Sequence, residues 1–204
     1  RGRDRQLARS LFRRRNVRHR GADLGGDGAS TQSQGWLNVQ VWVIDTNVLL
    51  VASGRHGDVS PACVTACVQC LEKIMREGRV VLDDAYRILG EYQHKTNPNR
   101  GKGAGQVFLK WLLRNRNRCL FVALREHPER GFHSFPEDAE LAQFDPADRK
   151  FVAVAAACPE PTAILQAADS KWLGWVSALK RHGIAVRFLC EDDLRRFRER
   201  KGMT

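Results

Sequence analysis

The chain has 204 residues, of which 43% are hydrophobic, and a formal net charge of +11 with a pI near 9.9. This length can bury one core, so we expect one domain with appendages rather than two domains. No apolar run approaches the roughly 18 residues needed to span a bilayer, which predicts a soluble, cytoplasmic chain. The positive charge predicts a polyanionic partner, with nucleic acid favoured over an anionic membrane surface.

Six cysteines are spread along the chain, three of them in predicted helices or strands with apolar neighbours. No recognisable signal peptide opens the chain, so we expect free, buried thiols in an intracellular protein. Cys63, Cys67 and Cys70 form the spacing C-x3-C-x2-C, which some iron–sulfur enzymes use. The same spacing places all three on one face of a helix, so we favour a helix core over an iron–sulfur or zinc site.

Residues 1–36 differ in composition from the rest of the chain. They hold nine arginines, no lysine and three acids, and so supply about +6 of the +11 charge. Their second half, GADLGGDGASTQSQG, is rich in Gly, Ser and Gln. This composition is typical of a disordered leader, with an arginine-rich arm that binds RNA phosphates as the alternative. We therefore divide the chain into a leader, 1–36, and a folded domain, 37–204.

The first predicted strand of the folded domain is 39–44, a run of β-branched and aromatic residues followed by the letters DTN. Its continuous apolar character is typical of a strand buried on both faces of a parallel sheet. A short helix is predicted at 47–53. A second helix begins at Ser60-Pro61, an N-cap followed by proline, and ends at Gly78.

The remaining elements alternate in the same way. Further strands are predicted at 79–82, 119–124, 163–167 and 184–189. Further helices are predicted from Asp83-Asp84 to Asn97, over 106–115, from Asp145-Pro146 to just before Pro159, over 170–181 and from Glu191 onward, with a polar loop at 126–144. Alternating strands and helices imply a parallel sheet covered on both faces. We predict an α/β fold, a three-layer α/β/α sandwich with a central, mostly parallel five-stranded sheet.

Acidic side chains follow two of the predicted strands. Asp45 comes directly after the first strand, and Asp169 comes just after the fourth. Asp148 lies in the predicted first turn of the helix that begins at Asp145, and Glu91 lies on the third helix among apolar neighbours. In open α/β sheets ligands bind beyond the carboxyl ends of the strands, so we expect the four acids to meet at one rim.

Each acid also has a structural explanation of its own. Asp45 can cap the next helix, Asp148 is favoured in a first turn by the helix dipole, and Glu91 can face solvent. Acids that meet at one rim, however, repel one another and disfavour ionisation. A divalent cation relieves that conflict, and Mg²⁺ takes carboxylate oxygens and waters and bridges to substrate phosphates.

Four motifs follow one another over roughly residues 38–190: VWVIDTNVLL, a lone Glu91, DPADRKFVAVA and ILQAADSKW. In order and spacing they resemble the PIN-domain nucleases. The resemblance implies an α/β/α sandwich and a Mg²⁺- or Mn²⁺-dependent phosphodiesterase that acts on single-stranded or structured RNA. The family includes toxins of bacterial toxin–antitoxin pairs, RNA-processing enzymes and flap-type nucleases.

The resemblance also assigns residues by position. It assigns a cluster of catalytic and metal-binding acids: Asp45, Glu91, Asp148 and Asp169. It assigns the polar groups that orient and flank this cluster: Thr46, Asn47 and Ser170. One departure concerns the fourth motif, because many relatives carry a further acid two places after its aspartate, where this chain has Lys171. A phosphate contact at that position then replaces a ligand to a second metal.

Positive side chains near the rim are candidates for holding the phosphate backbone of a substrate, although each also fits a solvated surface. They are Lys95, Arg100, Lys102, Arg149, Lys150 and Lys171. The glycine-rich stretch NRGKGAG lacks the G-x4-G-K-[ST] order of a phosphate loop, so we interpret it as a flexible basic loop. Tyr92 and Trp172 are candidates for stacking on bases, with burial favoured for Trp172.

Three functions remain open from the sequence. A metal-dependent endoribonuclease, of toxin type or otherwise, is the leading hypothesis. The alternatives are a catalytically silent PIN-like module that binds RNA or protein, and a structure-specific DNA nuclease. RNA is the expected partner, a protein antitoxin is a second one for a toxin-type member, and no membrane is expected. The oligomeric state stays open, with a dimer as one option.

Overall fold

The structure is a computed structural model that describes residues 41–97, 99 and 101–200. The predicted leader, its boundary with the folded domain, and Arg100 lie outside these residues. Within the described residues, no helix is both long and apolar enough to cross a membrane.

The described residues form two sheets. Their strands are β1 (Val41–Ile44), β2 (Arg79–Asp83), β3 (Cys119–Val122), β4 (Glu126–His127), β5 (Gly131–Phe132), β6 (Thr162–Gln166) and β7 (Ala185–Phe188). The larger sheet has the order β3-β2-β1-β6-β7, and every neighbouring pair in it is parallel. β1 lies in the middle with all four of its residues buried, which explains its continuous apolar sequence.

Helices cover this sheet. They are α1 (Thr46–Ala52), α2 (Pro61–Glu77), α3 (Arg87–Thr96), α4 (Ala104–Arg114), α5 (Arg149–Ala157), α6 (Val176–Arg181) and α7 (Glu191–Arg200). α1, α2 and α4 pack against one another, while α5 packs on β1, β2 and β6. A five-stranded parallel sheet flanked by helices confirms the predicted three-layer α/β/α sandwich.

The ends of α2 show how local sequence sets an element. Ser60 Oγ accepts a hydrogen bond from the backbone N–H of Cys63 at 3.1 Å, and Pro61 is the first helical residue. At the other end, the N–H of Gly78 donates to the carbonyl of Ile74 at 2.9 Å. Both ends lie where the sequence predicts them.

Three helix predictions are wrong in detail. The helix expected from Asp83 begins only at Arg87, because the Asp83 carboxylate accepts the N–H groups of Arg87 and Ile88 at 2.8 and 2.9 Å. The residues in between form a turn. The single helix expected over 170–181 is instead a 3-10 segment, Ser170–Gly174, followed by α6.

The helix expected from Asp145 begins only at Arg149. The Oδ1 atom of Asp145 accepts the N–H of Ala147 at 2.9 Å, and its carbonyl accepts the N–H of Asp148 at 3.0 Å. These bonds close a turn around Pro146. Asp148 is therefore the residue that immediately precedes α5, not a member of its first turn as predicted.

The polar loop expected at 126–144 contains an antiparallel hairpin of β4 and β5. The guanidinium of Arg149 fixes the rest of this loop by donating to three backbone carbonyls. The acceptors, at 2.9–3.2 Å, belong to Glu129, Ala142 and Phe144. Arg149 thus has a structural role that its position near the rim did not suggest.

The prediction that all cysteines are free thiols is wrong for two of them. Cys63 on α2 and Cys190 just before α7 form a disulfide across 127 positions of sequence. Cys67, one turn further along α2, is fully buried, with its Sγ 3.9 Å from that of Cys190. Burial raises the pKa of Cys67 to about 12, which keeps this thiol protonated and unreactive.

Candidate functional site

The strand order has its switch point between β1 and β6. From β1 the chain continues to β2 and β3 on one side, whereas β6 and β7 lie on the other side. β1 and β6 pair in register up to Ile44 and Leu165, and the N–H of Asp45 donates to the Leu165 carbonyl at 2.9 Å. Ligands of open parallel sheets bind beyond the carboxyl ends of the strands at such a point.

Asp45 lies at this switch point as the N-cap of α1. Its Oδ1 accepts the N–H of Asn47 at 2.8 Å, and the Asn47 side-chain oxygen accepts the N–H of Ala167 at 3.2 Å. The carboxyl group is buried, and burial is the main cause that raises its pKa to about 8. The negative charge of Asp148 raises this pKa further. Asp45 therefore caps α1 and also interacts with the neighbouring acids.

Glu91 reaches the same place from α3. The Thr46 hydroxyl donates to its Oε1 at 2.7 Å, and the Lys150 ammonium lies 2.6 Å from its Oε2. Both oxygens of Glu91 are therefore engaged by protein donors. The charge of Glu91 also contributes to the raised pKa of Asp45, which places the two acids in one electrostatic cluster.

Asp148 and Asp169 complete the cluster. The half-buried Asp148 has its pKa raised to about 6, first by burial and then by the negative charge of Asp145. Asp169 follows β6, and its Oδ1 accepts the N–H of Lys171 at 3.0 Å. The charge of Asp169 raises the pKa values of both Asp45 and Asp148. We call the four acids Asp45, Glu91, Asp148 and Asp169 the acidic rim.

The spacing of the acidic rim limits how it can hold a cation. Within residues 41–97, 99 and 101–200, no three acids have carboxylate oxygens that all lie within 4.8 Å of one another. Mg²⁺ binds at about 2.0–2.1 Å through one or two carboxylates and keeps several waters. The acidic rim offers hard carboxylate oxygens, which suit a Mg²⁺ ion that is bound by one or two of them and otherwise by water. The rim does not form an all-protein cage for the ion.

The trio that meets the 4.8 Å spacing among the described residues is made of Cys63, Cys67 and Cys190. Two of these sulfurs are joined in the disulfide. Sulfur donors suit soft metals rather than Mg²⁺ or Mn²⁺, so this trio is unrelated to the acidic rim. Cys70 of the C-x3-C-x2-C motif does not belong to it.

The predicted phosphate contacts divide into two groups. Lys171 beside Asp169, Lys95 and Lys102 are exposed and available to a ligand. Arg149 and Lys150 are not, because the first holds the loop before α5 and the second pairs with Glu91. The assignment of those two residues to substrate phosphates stays a prediction, and their contacts within the protein do not favour it.

The predicted base-stacking aromatics are both in the core. Tyr92 and Trp172 are fully buried, and the Tyr92 hydroxyl donates to the carbonyl of Ile44 at the end of β1. Tyr92 thus supports the strand that carries Asp45 rather than contacting a ligand. Ser170 is also buried, next to Asp169.

The pairing of Lys150 with Glu91 is the feature of the site that sequence reasoning missed. A signal for it exists in the sequence RKFVAVAAA, where Lys150 is the second residue of a helix that is apolar from there to its end. A lysine in such a context is either snorkelling or paired. Here only 11% of its side chain is exposed, and the ammonium is paired.

Fold and site together define an α/β protein with a buried carboxyl group at the switch point of a parallel sheet and three further acids around it. No protein-family model matches the chain, and no curated protein and no solved structure matches it either. Function therefore has to be inferred from the acidic rim and its surroundings.

Proposed function

We propose that the chain is a metal-dependent endoribonuclease, a phosphodiesterase that hydrolyses RNA with Mg²⁺ or Mn²⁺ bound at the acidic rim. The observation that carries this proposal is the state of Asp45. Its carboxyl group is buried beside three other acids, and its pKa is raised to about 8. A divalent cation compensates this cluster, and catalytic sites commonly hold groups with pKa values shifted in this way.

The side chains of the rim have separable roles in this proposal. One or two of Asp45, Asp148 and Asp169 bind the cation directly, and the remaining carboxyl groups reach it through its bound waters. Asn47 fixes the position of this ligand set, because its backbone N–H bonds to Asp45 and its side chain bonds to the end of β6. The exposed Lys171 next to Asp169 holds an oxygen of the substrate phosphate.

Glu91 has a different role because its two oxygens already bond to Thr46 and Lys150. It orients these two groups at the rim and contributes negative charge. When bound, Mg²⁺ or Mn²⁺ lowers the pKa of water and offsets the charge that develops on the phosphate. The reaction is then a direct attack of water on the phosphodiester, with Lys171 holding an oxygen of the substrate phosphate.

The experiment is cleavage of a labelled single-stranded RNA, with metal binding as a second measurement. Mn²⁺ should support cleavage and EDTA should abolish it. Asp45→Asn should lower the rate by about 100-fold or more, since charge stabilisation by a metal ion contributes several kcal/mol. Calorimetric titration should show that the same variant binds Mn²⁺ more weakly.

Asp84→Asn is the matched control because Asp84 is an exposed acid that follows the neighbouring strand β2. It should keep both cleavage and Mn²⁺ binding. Equal behaviour of wild type and Asp45→Asn in both measurements contradicts the proposal. Flap-containing DNA in a parallel reaction tests the DNA nuclease alternative, which preferential cleavage of that substrate would favour.

One observation favours a second candidate, a nucleic-acid-binding module without hydrolysis. The ammonium of Lys150 already neutralises one acid of the rim. With the charge of Glu91 already paired, the acidic rim has less negative charge for a metal ion to neutralise than four unpaired acids would have. RNA binding that is unaffected by EDTA, with no cleavage in Mn²⁺, supports this candidate.

A further inference from the structure

A basic cavity lies at the far ends of the helices that begin near the acidic rim. Its volume is about 500 Å³, and it is lined by residues at the end of α1, the end of α3 and the start of α4. The polar and charged groups that line it are Ser53, Arg55, His94, Asn97, Lys102 and Gln106. Among the described residues that line the cavity, none is an aspartate or glutamate.

Two glycines of the NRGKGAG stretch give this cavity its shape. A Cβ on Gly105 would lie 2.2 Å from the Leu49 carbonyl oxygen and 2.5 Å from Ser53 Oγ. A Cβ on Gly103 would lie 3.0 Å from the Ser53 Cα. These glycines therefore let the start of α4 touch the end of α1, and Gly103 itself lines the cavity.

The basic side chains of the cavity are held in different ways. The Arg55 Nη1 donates to the carbonyls of Lys95 and Thr96 at 2.8 and 3.3 Å, which fixes the guanidinium at the end of α3. His94 and Lys102 are exposed. Positive and polar groups without a carboxylate match an anion such as a phosphate.

The position of the cavity relates it to the acidic rim. α1 has seven residues, starts at Thr46 beside Asp45 and ends next to Ser53, which lines the cavity. At 1.5 Å per residue this helix spans about 10 Å. On α3, His94 follows Glu91 by three residues and so lies one turn along the same face. About 10 Å corresponds to roughly three stacked nucleotides at about 3.4 Å each.

We propose that this cavity binds a backbone phosphate of a single-stranded nucleic acid, roughly three nucleotides from the phosphate held at the acidic rim. The second half of this statement rests on the proposed function, whereas the binding of a phosphate in the cavity does not. The cavity then sets the direction in which the strand leaves the rim, along α1 and α3.

The first test measures binding without catalysis. Single-stranded RNA and DNA octamers of the same sequence are titrated by fluorescence anisotropy in EDTA at several salt concentrations. The double variant His94→Ala/Lys102→Ala should bind at least about fivefold more weakly than wild type. The slope of log K against log salt should fall by about one for each lost phosphate contact. A larger loss with RNA than with DNA identifies RNA as the strand that the cavity holds.

Lys73→Ala is the control, since Lys73 is an exposed lysine on α2 that does not line the cavity. It should bind as wild type does. Equal affinity and equal salt slope for wild type and the double variant overturn the proposal, as does a lack of binding by wild type. Circular dichroism melting verifies that both exposed replacements leave the fold intact.

The second test separates this inference from the proposed function. In Mn²⁺, the double variant should raise the KM for an octamer several-fold with little change in kcat, and it should leave cleavage of a dinucleotide unchanged. Weaker binding in EDTA combined with no cleavage by wild type contradicts only the nuclease. Normal cleavage by wild type combined with unchanged binding and KM in the double variant contradicts only the cavity.

Discussion

The ammonium of Lys150 lies 2.6 Å from Oε2 of Glu91, and only 11% of the lysine side chain is exposed. The same ammonium donates to the carbonyl of Ala147 and lies 4.6 Å from the ring centre of Phe151. α5 thus brings a fixed positive charge to the acidic rim. The metal-free rim is stabilised by this charge, and within residues 41–97, 99 and 101–200 its three aspartates form no ion pair of their own.

Lys150→Met should remove that charge while keeping most of the packing of the side-chain stem. The metal-free protein should lose about 2 kcal/mol of unfolding free energy, because breaking a largely buried ion pair leaves Glu91 uncompensated. Added Mn²⁺ should restore more stability in the variant than in wild type, since the rim becomes more negative. Urea unfolding in EDTA and in Mn²⁺ measures both effects.

Lys180→Met provides the comparison, because Lys180 is an exposed lysine on α6. Its stability should stay within about 0.5 kcal/mol of wild type in both buffers. If Lys150→Met is as stable as wild type in EDTA, the ion pair with Glu91 contributes nothing to the unfolding free energy, and Lys150 does not balance the charge of the acidic rim.

The raised pKa values of two acids predict how stability depends on pH. Asp45 titrates at about 8 and Asp148 at about 6 in the folded protein, against 3.8 for an ordinary aspartate. The folded state therefore holds protons more tightly than the unfolded state. Stability in EDTA should be greatest near pH 4 and should fall as the pH rises to 8, by up to about 1.4 kcal/mol per pH unit for one group.

Asp45→Asn should remove the decline between pH 6 and 8 and about half of the steeper decline between pH 4 and 6, where Asp148 also contributes. Asparagine keeps an oxygen that can accept the N–H of Asn47, so the helix cap is preserved. The variant should be more stable than wild type at pH 8 in EDTA and closer to it at pH 5. Urea unfolding at four pH values gives the two curves, and parallel curves would show that Asp45 ionises without penalty.

The sheet could be predicted from the sequence because a strand buried on both faces is a continuous run of apolar residues. The run VWVI of β1 is apolar without interruption, and a polar group follows directly at the carboxyl end. Parallel strands bring their carboxyl ends to one edge, so the meeting of Asp45 and Asp169 follows from topology alone. The helix starts were less accurate, because Asp83 and Asp145 act across turns whose geometry no periodicity reveals.

Long-range pairs within the domain could not be predicted in the same way. Cys63 and Cys190 are 127 positions apart, and cysteine spacing does not determine which pairs join. The partner of Lys150 depends on how α5 faces α3, which the sequence of either helix leaves open. The basic cavity likewise forms only where Gly103 allows α4 to approach α1 closely.

The Cys63–Cys190 disulfide predicts four free thiols in the oxidised protein and six after reduction in denaturant. Cys63→Ala should lower the unfolding free energy by about 2–4 kcal/mol, because the bond closes a long loop in the unfolded chain. Thiol counting and urea unfolding with and without reductant measure these effects. Cys158→Ala, which replaces a half-buried free cysteine, should leave the response to reductant intact. Six free thiols in the untreated protein would show that the bond is absent.

Alanine substitutions at two glycines should have opposite effects on the unfolding free energy. Gly105→Ala should destabilise the fold by about 1–3 kcal/mol, because its Cβ would meet the Leu49 carbonyl oxygen at 2.2 Å and backbone atoms cannot easily move away. Gly90→Ala on α3 has no heavy atom of the described chain within 4 Å of its Cβ, so the gain in helix propensity should stabilise by about 0.5–1 kcal/mol. Urea unfolding of both variants beside wild type compares them directly. If Gly105→Ala were as stable as Gly90→Ala, α4 could not approach α1 as closely as the structure has it, and the wall of the basic cavity would be built differently.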